Sequence, residues 1–200
     1  MELNLRGKMA VVTGASAGIG LACARALAAE GVGVAIAARD AGRLAEAAAS
    51  IDAAARHGGR AVAIPADISR AADVDRFVAT ASDRLGPIDI LINNAGSAVA
   101  GRFLDLPDEA FLDAWNLKLL GTIRMVRALL PAMEARRDGR IVNIIGGAAR
   151  NPSPSFLPGG TTNAALLNFT RGIAAELARK GVRINAISPG GTASVLMGWL

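Results

Sequence analysis

The chain has 200 residues, of which 52% are hydrophobic and 20% charged, which is enough apolar material for the core of one domain. No apolar run reaches the roughly 18 residues that a membrane span needs, and residues 1–8 lack a signal-peptide pattern, so we expect a soluble, cytoplasmic protein with no membrane partner. The net charge of +5 comes mainly from arginines spread singly along the chain, which argues against a nucleic-acid surface. The only cysteine is Cys23, which excludes a disulfide framework and a multi-cysteine metal site, and we expect no metal.

Short apolar or β-branched runs alternate along the chain with longer Ala-rich amphipathic stretches. This alternation is typical of a parallel sheet covered by helices on both faces. Right-handed crossovers favour a three-layer, doubly wound sheet of order 3-2-1-4-5-6, with the ligand crevice at the carboxyl ends of strands one and four. We therefore interpret residues 1–200 as one Rossmann-like α/β domain. The predicted strands are Met9–Thr13, Val32–Ala38, Arg60–Pro65, Ile88–Asn93, Arg140–Ile145 and Arg183–Ser188.

A glycine-rich segment follows the first predicted strand. Gly14, Gly18 and Gly20 lie between that strand and an Ala/Leu-rich helix. Missing side chains there permit a tight turn, a close backbone approach to a pyrophosphate, and helix–strand packing. The phosphates would lie at the helix N-terminus, where free N–H groups and the positive end of the dipole attract anions. The segment predicts a dinucleotide site; a merely flexible turn is the alternative.

The end of the second predicted strand bears on cofactor choice. An NAD-preferring protein usually places an acidic residue near Ala38 for the ribose hydroxyls, but here Arg39 follows. A guanidinium suits a 2′-phosphate, so we predict NADP as the cofactor, with NAD possible. A solvated arginine is the alternative, and Asp40 beside it could weaken phosphate binding. After the third strand, Ser69 is a predicted N-cap for the helix that Gly86 ends.

Four blocks together resemble the short-chain dehydrogenases/reductases: Thr13–Gly20, Asn93–Gly96, the helix segment around Asn116, and Ser188–Gly190. The resemblance implies hydride transfer between NADP(H) and a carbonyl or alcohol of unknown identity. It also implies a homo-oligomer, dimer or tetramer, pairing through the helices after Asp108 and Gly159, and a C-terminal substrate region and last strand that we expect to be missing. The cofactor-binding residues it implies are Gly14, Ser16, Gly18, Ile19, Gly20, Arg39, Asp67, Asn93, Ala95, Gly96, Pro189, Gly190, Thr192 and Ser194.

The catalytic residues of that family are largely replaced. The chain contains no tyrosine. Reading back without gaps from Pro189, the tyrosine position falls on Gly159, the lysine position on Asn163 and the serine position on Gly146. Only the helix asparagine of the usual tetrad has a match, at Asn116. We therefore expect ordinary Ser-Tyr-Lys catalysis to be absent.

Three functions stay open from the sequence. The first is a divergent oxidoreductase in which water, Asn116, Asn163 or a substrate group replaces the tetrad. The second is a non-catalytic nucleotide-binding sensor or partner subunit. The third is a structural relative whose site has collapsed and binds nothing. Fold alone does not decide between them.

Overall fold

The computed structural model describes residues 3–190. In this part of the chain six parallel strands form one sheet in the order β3-β2-β1-β4-β5-β6, which confirms the predicted α/β architecture. Each strand begins and ends within two residues of its predicted bounds. The strands are β1 Met9–Thr13, β2 Gly33–Ala38, β3 Arg60–Pro65, β4 Ile90–Asn93, β5 Gly139–Ile144 and β6 Val182–Ile187.

Helices cover both faces of this sheet because successive strand residues point to opposite sides and both sides are apolar. In β1, Val11 belongs to the core on one face and Val12 to the core on the other. Within residues 3–190, no helix combines the length and the hydropathy required to cross a membrane. The helices are α1 Gly18–Ala29, α2 Ala41–Ala54, α3 Ala71–Leu85, α4 Asp108–Ala114, α5 Gly121–Arg136 and α6 Leu157–Arg179.

A π-helical segment, Trp115–Leu120, joins α4 to α5 so that residues 108–136 form one continuous helix. The π geometry widens the turn and shifts which side chains share a face relative to an ordinary α-helix. Such segments are rare and occur frequently at functional sites. Here the segment packs against the first turns of α6, where the indole Nε1 of Trp115 donates to Oγ1 of Thr161 over 3.1 Å.

The predicted N-cap at Ser69 is wrong. α3 begins at Ala71 after Arg70, and no side chain caps it. The backbone N–H of Ser69 instead donates to the carboxylate of Asp67, and its carbonyl accepts from Arg124. Ser69 therefore belongs to the loop that carries Asp67, not to the helix.

Candidate functional site

An open cleft of about 560 Å³ lies at the carboxyl ends of β1, β2 and β4. The strand order of the doubly wound sheet reverses between β1 and β4, and folds of this type bind ligands at the carboxyl ends of the strands at such a point. Eight of the residues predicted to bind the cofactor line the cleft together. They are Gly14, Ser16, Gly18, Ile19, Arg39, Asp67, Ala95 and Gly96.

The turn between β1 and α1 is shaped by two glycines. Gly14 has φ +64° and Gly18 has φ +58°, a region that strongly favours glycine. A Cβ on Gly14 would lie 2.7 Å from Cα of Ala95, so the β4 loop could not approach as it does. The N–H of Gly14 donates to the carbonyl of Ala37, which ties the turn to the end of β2.

Thr13 and Asn94 fasten this turn to β4. Oγ1 of Thr13 accepts from the N–H groups of Asn94 and Ala95, both over 3.1 Å. Nδ2 of Asn94 donates back to the carbonyls of Thr13 and Gly14. Gly20 lies behind the cleft, where a Cβ would meet Nδ2 of Asn94 at 2.5 Å. Gly20 therefore serves packing in this structure and does not line the cleft.

The first turn of α1 faces the cleft without a side-chain cap. The N-cap, Ala17, makes no side-chain hydrogen bond, and no acidic residue lies in the first turn. Ser16 and Ile19 line the cleft beside it. Uncapped N–H groups and the positive helix end fit a dinucleotide pyrophosphate at this position.

Two arginines line the cleft beyond β2. Arg39 was predicted there, whereas Arg43, one turn into α2, was not. The carboxylate of Asp40 accepts from the N–H of Arg43 over 3.0 Å and thereby caps α2. Asp40 therefore stabilises the N-terminus of α2 beside the two guanidinium groups.

Asn93, Pro189 and Gly190, which were also predicted to bind the cofactor, do not line this cleft. Asn93 is buried: its Nδ2 donates to Oδ1 of Asn143 over 2.9 Å, while its own Oδ1 is buried without a hydrogen-bond partner among the described residues. Pro189 and Gly190 follow β6 at the same carboxyl edge of the sheet. The predictions at Thr192 and Ser194 fall outside the described residues.

The three lost catalytic positions lie next to one another. Oδ1 of Asn163 accepts from the N–H of Gly146 over 3.0 Å, and a Cβ on Gly146 would lie 2.9 Å from Nδ2 of Asn163. A Cβ on Gly159 would overlap the ring of Phe156, the residue just before α6. The phenyl ring thus fills the space into which a side chain at position 159 would extend.

Asn116 is turned to a different cavity. Its Oδ1 accepts from Arg124 over 2.9 Å, and the same guanidinium holds the carbonyl of Ser69. Asn116 lines a second space of about 280 Å³ that adjoins the cleft near Arg39 and Asp67. In this arrangement its carboxamide oxygen is occupied by a structural contact.

Hydroxyl groups near the start of α6 are engaged locally. Oγ1 of Thr161 and Oγ1 of Thr162 donate to helix carbonyls, including that of Pro158. Ser153 and Ser155 lie 3.0 Å apart, hydroxyl to hydroxyl. The two threonines therefore bond carbonyls within α6 itself, and no side chain caps the start of that helix.

Lys118 packs against the cleft wall but lines neither cavity. A Cβ on Gly96 would lie 2.7 Å from Cδ and 3.2 Å from Cε of Lys118, so the lysine stem packs along the cleft wall. Burial lowers the pKa of Lys118 to about 8. In the sequence it is a single lysine inside the apolar run Leu117–Leu120.

Comparisons of the sequence and of the structure with known proteins agree on one family. The family model described as short chain dehydrogenase matches residues 8–198. The ketoacyl reductase HetN of Nostoc is 37% identical over 187 residues, which cover 94% of this chain and 64% of that protein.

Two solved structures show how closely the fold agrees. L-sorbose reductase from Gluconobacter frateurii, complexed with NADPH and L-sorbose, superposes with TM-score 0.92 at 34% identity, over 98% of this chain and 73% of that one. An NAD⁺-bound xylitol dehydrogenase superposes with TM-score 0.89 at 32% identity, over 95% and 73%. Since the family model spans nearly the whole sequence, this chain belongs to the short-chain dehydrogenase family.

Proposed function

We propose that the protein is an NADP(H)-dependent oxidoreductase that transfers hydride between the nicotinamide and a carbonyl or alcohol through a site lacking the usual serine, tyrosine and lysine. The observation that carries this proposal is the cleft itself. A glycine turn, an uncapped helix start and two arginines converge on one space of about 560 Å³. A site of that size and lining argues against the collapsed-site alternative.

Preference for NADP(H) follows from the charge at the end of β2. Arg39 and Arg43 both line the cleft, and neither is ion-paired within residues 3–190. Guanidinium groups pair well with a 2′-phosphate, and Asp40, the carboxylate that lines the cleft beside them, has one oxygen occupied by the cap of α2. The NADPH complex of sorbose reductase agrees with this preference, while the NAD⁺ complex of xylitol dehydrogenase keeps NAD possible.

The lost residues set the expected rate. When bound, the cofactor supplies the hydride, and the protein must stabilise and protonate the oxygen that gains charge. A positioned acid contributes on the order of 10²- to 10⁴-fold and an oxyanion donor about 10²- to 10³-fold. With Gly146, Gly159 and Asn163 at the three positions, we expect simple ketones to react barely above background.

A non-catalytic nucleotide-binding sensor or partner subunit is the second candidate. The observation that favours it is Phe156, whose ring fills the space next to Gly159. A protein of this kind would bind NADP(H) with the same residues and would turn over no carbonyl. Turnover assays therefore separate the two candidates, whereas cofactor affinity does not.

Cofactor preference is tested by titrating the protein with NADPH and NADH. We expect the protein to bind NADPH more tightly than NADH. Arg39→Ala or Arg43→Ala should each reduce that preference by about tenfold. Each variant removes one charge-assisted contact to phosphate, and such a contact contributes at most about 1.5–3 kcal/mol. Arg171→Ala, on the exposed face of α6, is the matched control. Equal affinities in the unmodified protein would rule out the phosphate-binding role. A panel of ketones and activated carbonyls then tests turnover.

A further inference from the structure

The loops at the carboxyl edge of the sheet differ in charge from one half of the sheet to the other. The loops after β2 and β3 carry several ionisable side chains, those of Arg39, Asp40, Asp67 and Arg70. The loops after β4, β5 and β6, which we call the β4–β6 loops, are residues 94–101, 145–156 and 188–190. They contain a single ionisable side chain, that of the exposed Arg150. The crevice therefore has a charged half and a nearly uncharged half.

The nicotinamide belongs to the uncharged half when the cofactor binds as proposed. Arg39 and Arg43 are the proposed ligands of the 2′-phosphate beside β2, and the pyrophosphate lies at the first turn of α1. A dinucleotide bound across the point where the strand order reverses then extends from β2 over β1 towards β4 and β5. The carbonyl that receives the hydride is therefore next to the β4–β6 loops.

The β4–β6 loops are joined to one another around the lost catalytic positions. The N–H of Gly101 donates to the carbonyl of Ser155 over 2.9 Å, which joins the loop after β4 to the loop after β5. The N–H of Ile145, the residue before Gly146, donates to the carbonyl of Ile187 over 2.8 Å, which joins the loop after β5 to the end of β6. The three segments therefore form one continuous surface at the substrate end of the crevice.

Apolar side chains are exposed on these adjoining segments. Val99 is 59% exposed, and Ile187 at the end of β6 is 51% exposed. The half-buried ring of Phe156 occupies the space beside Gly159. Phe103, directly beyond the loop that follows β4, is 63% exposed. Large apolar side chains that are exposed beside a crevice are typical of a ligand-binding surface.

The hydroxyl groups of this region are already hydrogen-bonded to other protein groups. The hydroxyls of Ser153 and Ser155 bond each other, and those of Thr161 and Thr162 donate to carbonyls within α6. A polyhydroxylated substrate would have to compete with these contacts. The available surface therefore favours an apolar group over a polar one.

The cations near these loops are engaged elsewhere or exposed to solvent. Nε of Arg102 lies 3.8 Å from the carboxylate of Asp105, and Arg150 is exposed. Lys118 packs its stem against Gly96 and lines neither cavity. A carboxylate or phosphate bound here would lose water without gaining a buried ion pair, which is unfavourable.

We propose that the site takes an uncharged carbonyl compound with an apolar aryl or alkyl group, and that Val99, Phe156 and Ile187 form the surface that contacts this group. This inference rests on the proposed oxidoreductase function. Such a substrate differs from the L-sorbose bound to the sorbose reductase described above, because a sugar carries a hydroxyl group on nearly every carbon.

Two ketones with the same reactive carbonyl test the proposed preference. 2,2,2-Trifluoroacetophenone is neutral, whereas 4-(trifluoroacetyl)benzoate carries a carboxylate at the far end of the same ring. The trifluoromethyl group activates both carbonyls, which makes a slow enzyme measurable. At saturating NADPH, we expect kcat/KM to be at least about tenfold higher for the neutral ketone, because the carboxylate must leave water.

A cation added to the proposed surface should reduce this preference. Val99→Lys or Ile187→Lys places an amine at an exposed position, so kcat/KM for the benzoate should rise at least about fivefold relative to the neutral ketone. Leu3→Lys is the matched control, because Leu3 is an exposed leucine that precedes the amino end of β1. It adds the same charge at the opposite edge of the sheet and should leave the preference unchanged.

Calorimetric titration of the protein saturated with NADP⁺ measures the same preference without turnover. We expect acetophenone to bind at least about tenfold more tightly than 4-acetylbenzoate. Equal or tighter binding of the benzoate, with either trifluoromethyl ketone reduced, would overturn the inference and leave the proposed function intact. Failure of both ketones to bind would also overturn the inference. Tighter binding of acetophenone without reduction of either trifluoromethyl ketone would overturn the oxidoreductase proposal and the substrate together, in favour of a nucleotide-binding sensor.

Discussion

Burying Lys118 destabilises the folded chain, because desolvation penalises the charged amine and no carboxylate within residues 3–190 offsets it. Its neighbours Leu117 and Leu119 show that an apolar side chain is compatible with the same segment. The buried charge is therefore a net cost to the stability of the fold.

This cost predicts that Lys118→Met is more stable than the unmodified protein at pH 7, by up to about 3 kcal/mol, the upper bound that the pKa change from 10.5 to about 8 implies. The advantage should shrink with rising pH. Between about 8 and 10.5 the folded amine has lost its proton while the unfolded amine keeps it, so the stability of the unmodified protein increases. Urea unfolding between pH 6 and 10 measures both effects.

Lys180→Met is the control for this stability measurement. Its amine is held by Glu134 and Glu176, so the same substitution should not stabilise the fold. If Lys118→Met were less stable than the unmodified protein at every pH, the lysine would be contributing a favourable contact and its burial would not be a cost.

The π-helical segment around Asn116 and Lys118 shows where the sequence does not predict which side chains line the cleft. Motif spacing identified the glycines of the β1–α1 turn, because a tight turn constrains side-chain size directly. It selected Asn116 from the resemblance of its helix segment to that of the family. The π-helical segment changes the number of residues per turn, so an α-helical period does not show that Leu117 lines the cleft while Lys118 does not. Arg43 was likewise missed, because nothing in the local pattern shows that a helix turn faces the cleft.

Among the secondary-structure elements, the strands could be predicted from the sequence, whereas the N-cap of α3 could not. The strands are short, apolar and β-branched, and both faces are buried, so the pattern is hard to mistake. Ser69 has the right residue type for an N-cap, but the carboxylates of Asp67 and Asp73 organise that loop instead. Such competition among nearby polar groups depends on their final positions.

The segment 150–156 before α6 decides whether the usual active site can be rebuilt. Gly146→Ser, Gly159→Tyr and Asn163→Lys together supply the missing groups, but the ring of Phe156 overlaps the new side chain at 159. We expect the triple variant to remain slow and the quadruple variant with Phe156→Ala to reduce a simple ketone at least about tenfold faster. Single changes should do little, because the groups act as a unit.

Steady-state assays at saturating NADPH compare these variants, with Phe156→Ala alone as the control. If the triple variant were as fast as the quadruple one, the ring would move aside readily and Phe156 would not be the obstacle. If neither variant reduced the ketone faster than the unmodified protein, the geometry of the crevice itself would differ from that of tyrosine-containing relatives.

At the scale of the whole molecule, the surface that the family resemblance assigned to oligomer contacts is only partly free. Leu166 is fully buried, and Leu117 and Phe169 pack against the core of the same chain. Leu120 is 42% exposed, and Leu112 on α4 is 56% exposed. These two leucines are the apolar residues that we propose for contact with a second copy.

We therefore expect a dimer or tetramer in solution, and Leu112→Asp with Leu120→Asp should shift it toward the monomer, because a charge is unfavourable in an apolar contact. Light scattering over a concentration series measures the mass. Leu3→Asp, at another exposed leucine, serves as the control. A monomer at high concentration in the unmodified protein would contradict the proposal.

Under the proposed function, NADPH occupies the cleft at the carboxyl ends of β1, β2 and β4. Hydrogen exchange with and without NADPH, followed by mass spectrometry on the intact chain, tests this most directly. We expect slower exchange in residues 14–20 and 39–43, where the backbone meets the pyrophosphate and the 2′-phosphate, and no change in residues 56–59 at the opposite edge of the sheet. Unchanged exchange in residues 14–20 at saturating NADPH, or protection confined to other segments, would contradict the account.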